Sequence, residues 1–319
     1  MPTCGRLSPL STTTSAPTQS LSGCGSQKGL SKRLDQAELQ AQLQGSTGAG
    51  QRASILSELL PGASGFLTAI PSQSLGLAMK PAEFTAAIKT RLFMRQYSND
   101  RHCPCCDAIL DSFGRHAELC MAAGDHTACH NVARNIVGRF ACNAGLSPTL
   151  EKAELLPPRP DDPASSNLRR PADVYVPYWD FGLPAALDFA IVSPQRQDVL
   201  SQASQSSGAA AGLYEEHKRS YLNTAAECAE QGVLFIPLVA ESSGGWGTAG
   251  FTTLHKLAKV SGQRWGKDVD ASLSHLLERL SVAIRSAQAR AVLRRAGGVD
   301  DLGENPLDAA ATALAVTAD

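Results

Sequence analysis

The stretch Arg169-Arg-Pro-Ala-Asp173-Val-Tyr-Val-Pro-Tyr178, followed by Trp179-Asp-Phe-Gly182 and Leu183-Pro-Ala-Ala-Leu-Asp188-Phe-Ala-Ile-Val192, decides the fold. Both outer runs are β-branched, aromatic and aliphatic, and Pro and Gly bound them, as strands require. The break between them is short enough for a hairpin loop. Paired positions of an antiparallel hairpin have a constant sum, and closure with Tyr178 opposite Leu183 sets that sum. Asp173 then falls opposite Asp188. Carboxylates so paired share one face, with Cβ atoms about 5 Å apart, and repel unless something cationic lies between them. A divalent cation with oxygen ligands meets that need. A one-residue slip would undo the arrangement.

Two further elements add polar residues. Tyr214-Glu-Glu-His-Lys218-Arg-Ser-Tyr221 reads as helix, with positions 214, 218 and 221 on one face. Val233-Leu-Phe-Ile-Pro-Leu-Val-Ala-Glu241 reads as a buried strand ending in a carboxylate, followed by the turn Ser242-Ser-Gly-Gly-Trp-Gly247. A hairpin bearing two acids, a helix presenting Lys and a further strand point to a metal-dependent phosphodiesterase site. The segment resembles the PD-(D/E)XK nuclease superfamily. More narrowly, Pro171-Ala-Asp173, fourteen residues and then Asp188 resemble the restriction-like endonuclease of non-LTR retrotransposons. The resemblance implies Mg²⁺ on Asp173 and Asp188, with Glu241 as a third carboxylate. It departs at Ala190, where the superfamily usually carries a Lys two residues after the second acid. In the retrotransposon branch a Lys of the next helix serves instead, which points to Lys218.

Composition bounds the alternatives. The 319 residues are 43% hydrophobic, enough for a core, and the formal net charge of −1 gives no global argument for nucleic acid. Between Lys256 and Arg295 nine Lys or Arg stand against three acids. A helix over 270–296 turns Arg285, Arg290, Arg294 and Arg295 away from the core, as a solvated surface or a phosphate-contacting face. The nine cysteines concentrate between Cys103 and Cys142 without a preceding signal peptide. That pattern favours a reduced protein with a metal site over a disulfide framework. No apolar run approaches the roughly 18 residues of a membrane span.

Upstream, residues 1–28 are rich in Ser, Thr, Gly and Pro, and read as disordered or as an organellar transit peptide. Residues 29–100 form a helical connector containing Gly62-Ala-Ser-Gly-Phe-Leu-Thr-Ala-Ile-Pro71 and a helix that opens at Pro81. This stretch resembles the connector that follows the reverse transcriptase in non-LTR retroelement polyproteins, although the polymerase core is absent. Residues 101–124 hold Cys103-Pro-Cys105-Cys106, nine residues, and His116-Ala-Glu-Leu-Cys120. Cys103 and Cys106 make a C-x2-C knuckle, and His116 and Cys120 lie one helical turn apart, a set suited to tetrahedral Zn²⁺. Cys105 competes for either knuckle position. His126 and His130 have the i, i+4 spacing of metal ligands, or line the helix over 126–143. In the resembled enzymes a CCHC finger precedes the nuclease, and the order here agrees. Thr149 to Leu156 reads as a first strand in which Glu151 is an accessory acid or an exposed one.

These readings give an α/β fold: a restriction-endonuclease-like mixed sheet flanked by helices over 125–296, a helical region and a small zinc knuckle before it, and a disordered tail over 297–319. The function expected is metal-dependent DNA cleavage by Asp173, Asp188, Lys218 and Glu241, with structural Zn²⁺ on Cys103, Cys106, His116 and Cys120 and catalytic Mg²⁺ on Asp173 and Asp188. DNA is the expected partner, a reverse transcriptase acting in trans the second, and the nucleus the expected location. The alternative is a zinc-stabilised DNA-binding remnant without cleavage activity.

Overall fold

A computed structural model describes residues 27–158 and 169–297; the expectations for 1–26, for most of the loop between Pro157 and Asn167, and for the tail from 298 fall outside these residues. The chain divides into two compact units after Gly45. The described part of the first is the helix α1 (Gln27–Gln44). The second opens with the helices α2 (Ala49–Ser57), α3 (Gly65–Thr68) and α4 (Pro81–Arg91). A short hairpin of β1 (Arg101–His102) and β2 (Ile109–Leu110) leads to α5 (Arg115–Leu119), and α6 (Asp125–Asn143) follows. Then come β3 (Thr149–Leu150), β4 (Val174–Asp180), β5 (Leu183–Val192), α7 (Leu200–Ala203), α8 (Ala209–Ser220), α9 (Thr224–Glu230), β6 (Leu234–Glu241), α10 (Thr248–Trp265) and α11 (Val269–Arg295).

The strands from β3 to β6 form one mixed sheet in sequence order, antiparallel except for the parallel pair β5–β6. Helices cover both faces. Strand parity divides the core: Val174, Val176, Leu187, Phe189 and Leu238 meet α6, α10 and α11. Ala190, Val192 and Val239 face Ala210 and Ala211 of α8. The alternation of side chains along each strand imposes this division.

The hairpin corrects the expected closure. Leu183 pairs with Asp180, not with Tyr178, and the loop is the two-residue Phe181–Gly182. Both loop residues have positive φ, 47° and 84°, as a two-residue turn of this hand requires. Further from the loop the pairs are Val176–Ala185, Tyr175–Ala186 and Val174–Leu187, and an irregularity in β4 between Val176 and Asp180 absorbs the difference. The expected sum therefore holds at the Asp173 end, although the reason for it at the tip was wrong. The predicted first strand is shorter than expected, and Glu151 is paired with Arg134.

The second correction concerns the basic face. Leu276, Leu280 and Ile284 of α11 are fully buried, each contributing about 1.5–3 kcal/mol. The far side of the helix is covered as well, because α3, α4 and α5 pack there. Gly65 allows that approach: a Cβ on it would lie 2.9 Å from the Ser281 Cβ. Arg285 and Arg295 are buried at 2% exposure. Arg285 pairs with Glu58 and lies over the Phe66 ring, Arg290 reaches Glu83, and Arg294 and Arg295 share Asp125. Arg285 and Arg290 thus hold α11 to the segment around Glu58 and to α4, and Arg295 holds it to the start of α6, while Arg294 stays exposed as expected. Among the described residues no helix is long and apolar enough to cross a membrane.

Candidate active site and metal centre

β4 begins at Val174, one residue after Asp173, so beyond Leu187 β5 is paired to β6 on one edge and has no strand on the β4 side. The Asp173 side chain takes over there. Its Oδ2 accepts the Phe189 N–H at 2.6 Å, while its own carbonyl accepts from Glu151 N–H at 3.0 Å. Asp188 lies beside it, and the two carboxyls are in hydrogen-bonding contact. Lys218 on α8 reaches the same place: its Nζ is 2.7 Å from Asp188 Oδ2 and 3.4 Å from the Phe189 carbonyl oxygen. On the other side His130 Nε2 of α6 lies 3.1 Å from Asp173 Oδ2, its ring edge-on to Phe189.

The environment separates the two acids. Burial pushes Asp188 up to about 6, and the charge of Asp173 adds to this, while Lys218 only partly offsets it. Burial also acts on Asp173, but the His130 bond, the Phe189 amide and Lys218 outweigh it and hold this carboxyl below its ordinary value. His130 gains in return: burial opposes its charge, the Asp173 carboxylate more than compensates, and its pKa is raised. The result is one carboxylate held ionised beside one that holds its proton up to about pH 6, with an ammonium against it. Such a pair can share a proton or exchange it for a cation, and its oxygen-only donors suit a hard divalent ion.

Ala190, where a Lys was expected by analogy, is buried under α8 in contact with Ala210 and Ala211. A Lys there would meet the helix that instead delivers Lys218. Arg169 does not neutralise the acids; it pairs with Glu227.

Glu241 does not join the cluster, which corrects its assignment as a catalytic carboxylate. The parallel register sets Asp188 beside Pro237 and Val192 beside Glu241, so Glu241 is four strand residues away, about 13 Å. It is 1% exposed, and Oε1 accepts the Ala211 N–H at 3.2 Å in the first turn of α8. Burial raises its pKa against the Ser57 hydroxyl and the Ala210 and Ala211 amides. A carboxyl at a helix N-terminus serves the unpaired amides there. His130 was the residue the sequence undervalued; its spacing from His126 drew attention to a metal pair, while its partner is Asp173. Burial lowers the pKa of His126, which interacts with the backbone of Ile191.

The second site is a Cys/His cluster. The ligand atoms of Cys103, Cys106, His116 and Cys120 all lie within 4.8 Å of one another. Cys106 Sγ is 3.2 Å from His116 Nε2 and 3.7 Å from Cys120 Sγ. Two thiolates on a tetrahedral Zn²⁺ with bonds of 2.3 Å stand about 3.8 Å apart, so the donor set fits such an ion. The β1–β2 hairpin carries the first two ligands, and the Cys103 N–H bonds the Ala108 carbonyl. Asp111 opens α5 by accepting the N–H groups of Phe113 and His116 at 3.0 and 2.9 Å, which aims His116 inward. Cys105 is left out; burial raises its thiol pKa, and its amide instead donates to Cys103 Sγ at 3.4 Å. Burial works against ionising Cys103, but that amide and the Arg295 guanidinium prevail and hold it at about 6. Arg295 therefore joins two places, the cysteine cluster and Asp125 at the start of α6.

No family model, no curated protein and no solved structure matches this chain, so the functional reading rests on the geometry of these two clusters.

Proposed function

We propose that this protein is a metal-dependent DNA endonuclease of the PD-(D/E)XK kind, derived from the C-terminal region of a non-LTR retroelement polyprotein. One observation carries the reading: Lys218 reaches Asp188 from α8, beside Asp173, at the place where the strand itself offers only Ala190. Two acids from an antiparallel hairpin and a Lys from the next helix are the parts that phosphodiester hydrolysis needs. Asp173 and Asp188 would hold Mg²⁺, which when bound lowers the pKa of water and offsets charge on phosphorus. The ammonium of Lys218 contacts the scissile phosphate. His130 and the Phe189 amide fix Asp173 in one orientation and keep it ionised. In this reading the Cys/His cluster is a zinc knuckle that fastens the segment before α6.

Nicking of supercoiled plasmid in Mg²⁺, and its absence in EDTA, tests the proposal. DNA binding without nicking would leave instead a zinc-stabilised binding remnant.

A further inference from the structure

On the helix that carries Lys218 lies a pocket of about 220 Å³ that neither metal cluster uses. Val192, Val199 and Leu213 give it apolar walls, and the Tyr214 ring lies along one side. Arg196 and Asp198 close its rim as a two-point pair, with Nε–Oδ1 at 3.1 Å and Nη2–Oδ2 at 2.6 Å. The Arg196 guanidinium is 5.7 Å from the Tyr214 ring centre. From Tyr214 a row of rings continues along the helix, to His217 at 5.5 Å and on to Tyr221 at 5.4 Å, and the last is more than half exposed.

The chemistry of this pocket narrows what fits it. An apolar slot beside an aromatic face accepts a flat ring, since base–aromatic stacking works for any base. A guanidinium and a carboxylate at the rim offer donors and acceptors together, which the edge of a nucleobase needs. The position agrees. Val192, which lines the pocket, is four residues along β5 from Asp188, about 13 Å. That span equals roughly four stacked base steps of 3.4 Å, and fewer in an extended strand. One strand can therefore lay a phosphate at Lys218 and a nearby base in the pocket. A base inside a duplex cannot enter, because its faces and edges are already taken.

The geometry points to a base-binding pocket: it takes one unpaired nucleobase of a DNA strand whose phosphate lies at the Asp173–Asp188–Lys218 cluster. The substrate class is DNA with single-stranded or extruded nucleotides beside the point of cleavage. The placement of the phosphate rests on the nuclease reading, while the pocket itself does not.

The test uses the full chain in EDTA, so that binding is measured without cleavage. Single-stranded oligonucleotides carrying 2-aminopurine at successive positions report stacking by loss of emission, and anisotropy reports affinity. The parent protein binds the single strand more tightly than the matching duplex and quenches the probe. Tyr214→Phe retains both properties; Tyr214→Leu keeps an apolar side chain, melts like the parent and binds about tenfold more weakly. Equal affinity of Tyr214→Leu and parent, or equal binding of duplex and single strand, overturns the pocket. Quenching and Tyr214 dependence without Mg²⁺-dependent nicking would sustain the pocket and remove the nuclease. Nicking with no quenching would do the reverse.

Discussion

Lys218 Nζ stands 2.7 Å from Asp188 Oδ2, and this is the contact between α8 and the acid pair that the proposed chemistry depends on. Lys218→Ala removes a cation from the reacting phosphate but no metal ligand. Cleavage is expected to fall by about 10²–10³, the usual cost of one preorganised charge-stabilising donor. Affinity for Mg²⁺, measured by calorimetric titration, changes by no more than a few fold. Because the ammonium also opposes the rise in Asp188, its loss moves the acid limb of the pH–rate profile upward. Unaltered cleavage by the variant would remove Lys218 from the site.

Asp188 couples stability to pH. Its pKa rises from 3.8 to about 6 on folding, so the folded state binds the proton more tightly than the unfolded one. The stabilisation is fully present below pH 3.8 and is lost as pH rises through about 6. Asp188→Asn removes this dependence. Relative to the parent, the variant is expected to gain on the order of 1–3 kcal/mol between pH 4 and pH 7 in urea titrations, while losing cleavage. A variant less stable than the parent at pH 7 would show that the carboxylate is better satisfied than its neighbours suggest.

The Cys/His cluster predicts a stoichiometry. Protein purified without chelator should contain one Zn²⁺ per chain by elemental analysis. Cys120→Ser should lose it and open the segment over 101–124 to limited proteolysis, since metal binding and folding are linked. Cys105→Ser and Cys142→Ser should keep it, because neither thiol belongs to the cluster. Retention of zinc by Cys120→Ser together with its loss in Cys105→Ser would reassign the ligands.

The arginines of α11 predict a stability effect in place of a salt effect. Arg285→Ala leaves Glu58 to Arg91 alone and empties a buried place over Phe66, and should cost about 1–3 kcal/mol by denaturant titration. The salt dependence of DNA binding by the folded variant should match the parent, since Arg285 does not face solvent. A flattened slope would return this side chain to the phosphate interface.

These cases mark what the chain discloses by itself. The four cluster ligands were legible because ligand spacing is local arithmetic, whereas Asp173 came opposite Asp188 through a wrong closure at the tip, which the irregularity in β4 happens to offset. Lys218 needed an analogy, and the reason Ala190 cannot carry the charge appears only with α8 packed over it. Glu241 misled because a carboxylate at a strand end looks catalytic until the parallel register fixes its distance from Asp188. Arg285, Arg290 and Arg295 misled for the same cause: Glu58, Glu83 and Asp125 are remote in sequence, and periodicity cannot foresee which faces of a helix its distant neighbours cover.

The irregularity in β4 has an engineering consequence. Extra strand length between Val176 and Asp180 decouples the tip from the acids, since pairing at Val174–Leu187 no longer depends on how the turn closes. The fully exposed Phe181 marks the outer end of that decoupled segment. A peptide tag or a reporter loop inserted between Phe181 and Gly182 should therefore leave Asp173 facing Asp188. The tip is an attachment point from which this protein can be labelled, tethered or steered toward a chosen target.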